Sequence, residues 1–345
     1  MRTTLLALAA TLSLPVMAIA QDDPGKVTPL FAEDAILEVT IDGPIKDIVR
    51  KAERSTDAQA ATLSAASESH AIDLSARGVS RRKRENCRFP PLRVAFTGEK
   101  AEGSLFRKQG SIKLVTHCQS KSSAEQTVLR EYAAYRLYNV VTPRSHKARL
   151  ARITYLDGGS ELDRKLGFFI EDTDDVARRV GMKEIDTGRI AIRALDSAMV
   201  PKYVLFQYMI GNTDWAMYTG PDPSECCHNS KLLGADDAAT SNFTPVPYDF
   251  DNSGLVDAPY AVPNAVLGIR SVTQRVYRGF CAFNAAVKTE AANFRSLRPQ
   301  FEAELAAIPE LDAKARGEMQ KYLASFFDDI ADDAAIEKNL LSDCR

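Results

Sequence analysis

Short runs in which apolar and polar residues alternate characterise the first half of the chain. The clearest run covers residues 35–41, where β-branched and polar residues take turns. Such alternation predicts half-buried strands, and Gly and Pro residues between the runs predict turns. We therefore expect a small, mostly antiparallel β-rich unit. The further runs predicted to be strands are 61–63, 71–74, 92–96 and 111–116.

A helix is predicted directly after these strands. Residues 122–125 have the Ser-x-x-Glu pattern of a capping box, and apolar residues at helical spacing continue to Asn139. Pro143 ends the element. Residues 151–156 and 166–170 are then predicted to form a hairpin across a turn that contains Gly158 and Gly159. The apolar residues at helical spacing are Val128, Leu129, Tyr132, Tyr135 and Tyr138.

The second half of the chain changes to helical spacing from about Asp174. One or two helices are predicted in 190–210, ending at Gly211, and an amphipathic helix is predicted over 319–330. The fold class is therefore α+β. We predict a loose segment at 21–34, a β-rich lobe with one helix at 35–172, and a mainly helical lobe at 173–345.

The first twenty residues have the pattern of a secretory signal peptide. Arg2 precedes an apolar run that begins at Leu5, and the small residues Ala18 and Ala20 frame a cleavage site. Thr11, Ser13 and Pro15 interrupt the run, which is too short to span a bilayer. We expect a secreted or periplasmic protein with no membrane span after cleavage.

Composition and cysteine content agree with an exported globular protein. The formal net charge is -2 and charged residues make up 26% of the chain, so no global field favours nucleic acid as a partner. The basic cluster at 81–84 is predicted to be a solvated loop between two strands, with contact to an anion as the alternative. Six cysteines in an exported chain predict two or three disulfides, whose connectivity the sequence leaves open.

Carboxylate and amide residues follow one another in a compact window of the second half. The three segments are 211–215, which contains Asp214; 228–229, a His-Asn pair; and 246–254, which contains Asp249 and Asp251. Carboxylate and carboxamide oxygens suit hard ions such as Mg²⁺ or Mn²⁺. Phosphoryl transfer uses one Asp to orient a hydroxyl and further oxygen ligands to hold the metal on the phosphates.

The order of these segments, behind a β-rich lobe and a capped helix, resembles the CotH kinase family, which has an atypical protein-kinase-like fold. Residues 72–81, 128–135, 166–172, 203–215 and 246–251 carry the resemblance. It implies two lobes, a β-rich N-lobe with one bridging helix and a mainly helical C-lobe. It further implies ATP with Mg²⁺ or Mn²⁺ as cofactor, and phosphoryl transfer to an exported protein or glycan.

The resemblance also assigns roles to individual residues. Asp214 would be the catalytic aspartate. The metal ligands would be Asn229 and Asp249, with Asp251 as support or second ligand. Lys113, paired with Glu131, would bind the nucleotide phosphates. Arg93 is the competing candidate for that phosphate contact, and Glu171 ends the strand that would border the nucleotide.

Two departures from the family pattern keep other functions open. The turn at 78–81 lacks the family's Asn, and the His-Asn pair lies beyond an insertion at 221–227 that a disulfide would pin. Because little ATP is present outside cells, a catalytically inactive, kinase-like binding or envelope-structure protein is the main alternative. A calcium loop at Asp251 is weaker, since Tyr260 stands where an EF-hand has its Glu.

Overall fold

The computed structural model describes residues 25–121, 123–222 and 224–345. The predicted signal peptide and the first residues of the 21–34 segment lie outside these ranges. The described chain is α+β, with a seven-stranded closed barrel, a three-stranded sheet and seven α-helices among its described residues.

The barrel is built by the first half of the chain, and each predicted strand of this half is present. The strand order around it is β1-β2-β3-β4-β5-β7-β6, and the parallel pairing of β1 with β6 closes the ring. All other pairs are antiparallel. The strands are β1 (Leu37–Asp42), β2 (Gln59–Ala65), β3 (Glu68–Ala76), β4 (Leu92–Phe96), β5 (Ser111–Val115), β6 (Ala148–Asp157) and β7 (Ser160–Ile170).

Alternate residues of these strands fill the barrel, which explains their period of two. The predicted hairpin is confirmed as β6 and β7. Two helices belong to this half: α1 (Ile45–Lys51), which was not predicted, and the predicted α2 (Ser123–Val141). The buried side chains inside the barrel include Leu63, Ile72, Leu74, Val94, Ile112, Leu114, Ile153 and Phe169.

The second half combines helices with a small antiparallel sheet. Only the second part of the predicted 190–210 helical region is an α-helix, since 192–194 forms a single 3₁₀ turn. The long helix α5 was not predicted. The elements are α3 (Thr173–Arg179), β8 (Lys183–Ile185), α4 (Met199–Ile210), β9 (Ser230–Gly234), β10 (Thr244–Pro247), α5 (Asn284–Ala307), α6 (Ala313–Asp329) and α7 (Asp333–Asn339).

One large core joins α2 to the later helices. Tyr135 and Tyr138 of α2, Phe168 of β7 and Phe206 of α4 belong to a single buried cluster that continues into α5 and α6. Burial of such aromatic side chains supplies much of the packing energy. Because this core crosses residue 172, the predicted boundary between the lobes stays a prediction.

Three disulfides agree with the expected number and fit a secreted or periplasmic protein. Cys87–Cys118 ties the β3–β4 loop to the segment after β5, and Cys281–Cys344 ties the start of α5 to the C-terminal residues. Cys226–Cys227 joins neighbours and therefore closes no loop around the predicted 221–227 insertion, of which Pro223 lies outside the described residues. No helix in the described ranges combines the length and apolar character needed to cross a bilayer.

Candidate functional site

A buried arginine lies at the centre of the candidate site. Arg81 is 6% exposed, and its guanidinium contacts three carboxylates. The N–O distances are 3.4 Å to Glu131, 3.5 Å to Asp249 and 3.2 Å to Asp251. Arg81 also donates to the hydroxyl of Tyr260 at 3.4 Å. One cation thus links the β3–β4 loop, α2 and the segment that follows β10.

This arrangement corrects the prediction that residues 81–84 form a solvated loop. A 3₁₀ turn at Ser80–Arg82 directs the first side chain of the cluster inwards, while Lys83 and Arg84 remain exposed. Sequence reasoning considered an anion contact for the cluster but did not identify Arg81 as a site residue. The available signal was its position three residues after Gly78, which has a positive φ of 81°, a conformation that favours glycine.

The three carboxylates are incompletely neutralised by the single guanidinium. Burial raises the pKa of Glu131 to about 8, and Arg81 opposes this only in part. Burial likewise raises the pKa of Asp251 to about 6. Both shifts favour the uncharged acids, because charges removed from water must be balanced by nearby opposite charge. The cluster therefore has room for further positive charge.

Asp214 is held by polar groups from a neighbouring segment. It follows α4, which ends at Gly211 in the left-handed conformation with φ of 65°. The carboxylate lies 2.7 Å from Nε2 of His228. The side-chain amide of Asn229 donates to the Asp214 main-chain oxygen at 2.8 Å and to its carboxylate at 3.2 Å. The structure thus brings the predicted Asp214 and Asn229 together.

The hydrogen bond between His228 and Asp214 stabilises both charged forms. It raises the pKa of His228 above its usual value. Burial works against ionisation of Asp214, but bonds from His228 and Asn229 outweigh it and the pKa of Asp214 lies below its usual value. Both side chains are somewhat more than a third exposed, at 39% and 37%. Asp214 is therefore an ionised, accessible carboxylate in neutral solution.

Asp249 is fixed at the end of β10 by contacts to α2 and α4. Its backbone has φ of 62°, and its N–H donates to the hydroxyl of Tyr135 at 3.0 Å. The next side chain, Phe250, packs between Tyr135 and Phe206, with ring centroids 4.7 and 5.5 Å apart. These contacts direct the Asp249 carboxylate out of the core, where it is 33% exposed.

The oxygen atoms expected to hold a divalent metal are partly suited to that task. Asn229 uses its amide nitrogen on Asp214, so Oδ1 is the side-chain atom that would contact a metal. The N–H of Tyr248 donates to the main-chain oxygen of Asn229 at 3.2 Å, which brings Asp249 close to the same place. Carboxylate and carboxamide oxygens fit Mg²⁺ or Mn²⁺. Arg81 contacts both aspartates, but Asp251 fits less well because its side chain is only 13% exposed, against 33% for Asp249.

A second group of acidic residues lies near the small sheet. Oxygen atoms of Asp172, Asp174 and Glu184 are within 4.8 Å of one another. Asp172 caps α3 by accepting from the N–H of Asp174, and Glu184 pairs with Lys231 at 2.7 Å. These contacts explain the group as part of the fold.

The predicted pairing of Lys113 with Glu131 is absent from the described contacts, because Arg81 pairs with Glu131 instead. The Lys113 ammonium lies 4.2 Å from the ring centre of Tyr248, beside Asp249. Burial lowers the pKa of Lys113 to about 8. The competing Arg93 is exposed and donates to Ser111 at 3.3 Å. Lys113 is thus the one of the two candidates that lies near Asp249.

Glu171 has a structural role that sequence reasoning missed. Its buried carboxylate accepts from Arg179 of α3 at 2.8 and 3.1 Å and from the N–H of Lys147 at 2.8 Å. Its main-chain oxygen accepts from Nδ1 of His146 at 3.0 Å, and its own N–H donates to Lys147. Because its side chain and main chain are both engaged within the protein, the predicted nucleotide contact by Glu171 receives no support from this geometry.

No protein-family model and no curated protein matches this chain. The resemblance to the CotH kinase family accordingly stays a prediction.

Proposed function

We propose that this protein is an exported, kinase-like phosphotransferase that moves the γ-phosphoryl group of ATP to a hydroxyl acceptor with the help of Mg²⁺ or Mn²⁺. The observation that carries the proposal is the bracing of Asp214 by His228 and Asn229 next to Asp249. A braced, ionised Asp, an amide oxygen and a second exposed Asp are the parts that phosphoryl transfer uses. The acceptor hydroxyl would belong to an exported protein, with a glycan as the alternative.

Each residue of the site would have a separate role in the reaction. Asp214 would orient the acceptor hydroxyl and take its proton as the oxygen attacks the γ-phosphorus. The bond from that phosphorus to the β,γ-bridging oxygen breaks, and ADP leaves. Lys113, beside Asp249, would bind phosphate oxygens. Asn229 and Asp249 would hold the divalent metal, which neutralises charge on the phosphates when bound.

The barrel and the later helices would then correspond to the two lobes of a kinase-like fold. In protein kinases a strand Lys pairs with a helix Glu. Here Arg81, from the loop after β3, contacts the helix Glu131, while the ammonium of Lys113 lies over the ring of Tyr248, the residue before Asp249. These separate contacts of Arg81 and Lys113 support an atypical version of the Lys–Glu arrangement of protein kinases.

A catalytically inactive, kinase-like binding protein is the second candidate, and one observation favours it. Arg81 contacts both Asp249 and Asp251, so a cation of the protein already balances part of the charge on which a metal would depend. In that function the cleft would bind a ligand without transferring a group.

Two measurements separate these functions. Calorimetry with ATP and Mn²⁺ should give binding heat for the wild-type protein, and less for Asp249→Asn. Transfer of labelled γ-phosphate to the protein itself or to a mixture of exported proteins should fall by about a hundredfold or more in Asp214→Asn. Asp237→Asn, at an exposed position, is the matched control and should behave as wild type.

The outcomes of these measurements test both functions and the role of Asp214. Binding heat without transfer would support the inactive binding protein. Folded protein that gives no heat would contradict nucleotide binding altogether. Undiminished transfer in Asp214→Asn would contradict the role of Asp214.

A further inference from the structure

The turn that carries Asp214 depends on side chains for its shape. Helix α4 ends at Ile210, and residues 212–216 form no helix or strand, although isolated bridges at Asn212 and Ala216 join them to other segments. A catalytic group must be held in one direction, because a small misplacement lowers the rate of reaction. The groups that bind the peptide units of this turn therefore decide how the Asp214 carboxylate is directed.

Arg278 binds this turn on both sides of Asp214. Its Nη1 donates to the main-chain oxygen of Thr213 at 2.8 Å and to that of Trp215 at 2.7 Å. The Thr213 oxygen belongs to the peptide unit that directly precedes Asp214, and Asn264 adds a longer bond of 3.3 Å to it. The guanidinium carbon also lies 4.5 Å from the centre of the Trp215 ring. One side chain thus holds both residues that flank the aspartate.

The charge of Arg278 strengthens these contacts. The side chain is half-buried, and its described hydrogen bonds and ring contact include no carboxylate. Burial lowers the pKa of Arg278 to about 10, so the guanidinium is charged in neutral solution. Hydrogen bonds from an ionised donor are roughly twice as strong as those from a neutral one. The two bonds therefore restrain the turn more firmly than an amide or hydroxyl donor would.

Arg275, three residues earlier, makes the same kinds of contact in a structural role. It donates to main-chain oxygens in the last turn of α4, and its guanidinium carbon lies 3.8 Å from the centre of the Tyr322 ring. Those oxygens are among the carbonyls that a helix leaves unpaired at its C-terminal end. Arg275 thus satisfies the end of a helix, whereas Arg278 binds the turn that follows it and carries Asp214.

We propose that Arg278 is a positioning residue for Asp214. By binding the oxygens of Thr213 and Trp215 and covering the Trp215 ring, it fixes the direction in which the Asp214 carboxylate faces the acceptor hydroxyl. The effect on catalysis rests on the proposed phosphotransferase function, but the restraint of the turn does not. Because the described contacts of Arg278 include none of the proposed nucleotide or metal ligands, it acts on the rate of transfer and not on the binding of ATP.

Steady-state transfer of labelled γ-phosphate measures the effect on catalysis. Arg278→Met removes the charge while filling similar space, and should lower kcat by about tenfold or more while KM for ATP changes by less than about twofold. Arg278→Lys keeps the charge and several N–H donors but loses the planar group, so it should recover part of kcat. The matched control is Arg275→Met, which should lower the melting temperature but change kcat by less than about twofold.

Hydrogen–deuterium exchange followed by mass spectrometry measures the turn itself and needs no activity. Amide exchange in residues 212–216 should be about tenfold faster or more in Arg278→Met, because two hydrogen bonds from a charged donor are lost. The same amides should exchange at an intermediate rate in Arg278→Lys and as in wild type in Arg275→Met. If Arg278→Met does not fold, Arg278→Lys is compared with wild type instead.

The two measurements separate this proposal from the proposed function. A wild-type protein that transfers no phosphate, with faster exchange at 212–216 in the Arg278 variant, would contradict phosphotransfer and leave Arg278 as the residue that fixes Asp214. Exchange at 212–216 equal to that of wild type would overturn the proposal. An increase in KM for ATP with unchanged kcat, or an equal loss of kcat in Arg275→Met, would also overturn it.

Discussion

Replacement of Arg81 by Met tests the central charge cluster directly. Met has a similar length and is apolar, so the change removes the cation while filling much of its space. Removing one partner of a buried ion pair costs about 3–5 kcal/mol, because the remaining charge is left buried and unbalanced. Since Arg81 contacts three carboxylates, we expect a loss of unfolding free energy of about 4 kcal/mol at about pH 8.

The loss should depend on pH with a definite sign. The pKa values of Glu131 and Asp251, about 8 and about 6, already lie above the ordinary values of these acids, and without Arg81 they rise further. Folded protein with raised carboxyl pKa values binds more protons than unfolded protein, so acidification stabilises the variant relative to wild type. At about pH 5 the loss should shrink to about 1–2 kcal/mol, the contribution of the missing hydrogen bonds.

Urea unfolding followed by circular dichroism measures both values. The matched control is Arg84→Met, an exposed neighbour in the same cluster, which should change the unfolding free energy by less than about 0.5 kcal/mol. The inference that Arg81 neutralises buried carboxylates would be refuted by either of two results. The loss of unfolding free energy in Arg81→Met could equal the loss in Arg84→Met, or it could grow on acidification.

Two further predictions concern residues around the site. Burial lowers the pKa of His146 to about 3, whereas the same residue in the unfolded chain takes up a proton near its ordinary pKa. On acidification from about pH 7.5 to about pH 5, wild-type protein should therefore lose about 2 kcal/mol more unfolding free energy than His146→Gln. Equal pH profiles of the two proteins in urea unfolding would contradict this. Gly211→Ala should lower the unfolding free energy by about 2–4 kcal/mol, because the φ of Gly211 is 65° and a Cβ there would collide with the hydroxyl of Tyr322. Thermal melts measure this loss. The control Gly98→Ala, whose added Cβ meets no neighbour within 4 Å, should melt close to wild type.

Alternation along the chain was sufficient to predict strands β1 to β5, because one face of each is more buried than the other. The spacing of apolar residues did not reveal helix α1, which has only seven residues, Ile45–Lys51. The same spacing did not reveal helix α5, whose interior contains Pro299. Proline inside a helix is disfavoured by its missing N–H and its ring clash, so local sequence argues against a helix that packing against α2 and α4 stabilises.

The candidate site was likewise predictable from the sequence only in part. Asp214 and Asn229 are neighbours in space, as the order of their motifs suggested, because each stands at the end of a buried element and those ends meet. The partner of Glu131 was not predictable from spacing. Lys113 is closer to it in sequence, but Arg81 reaches it from a loop fifty positions away. Which of four consecutive basic residues turns inwards is decided by the local turn and by tertiary contacts, not by composition.

The parallel pairing that closes the barrel has a consequence for how the chain is made. Leu37 of β1 pairs with Ala151 of β6, so the first strand emerges from the ribosome long before its second neighbour exists. Until β6 and β7 have been synthesised, β1 carries an unpaired edge of N–H and C=O groups. Closure of so large a loop is slow compared with formation of the local hairpins. The newly made chain therefore passes through an open sheet, and only synthesis of β6 and β7 allows that sheet to become a ring.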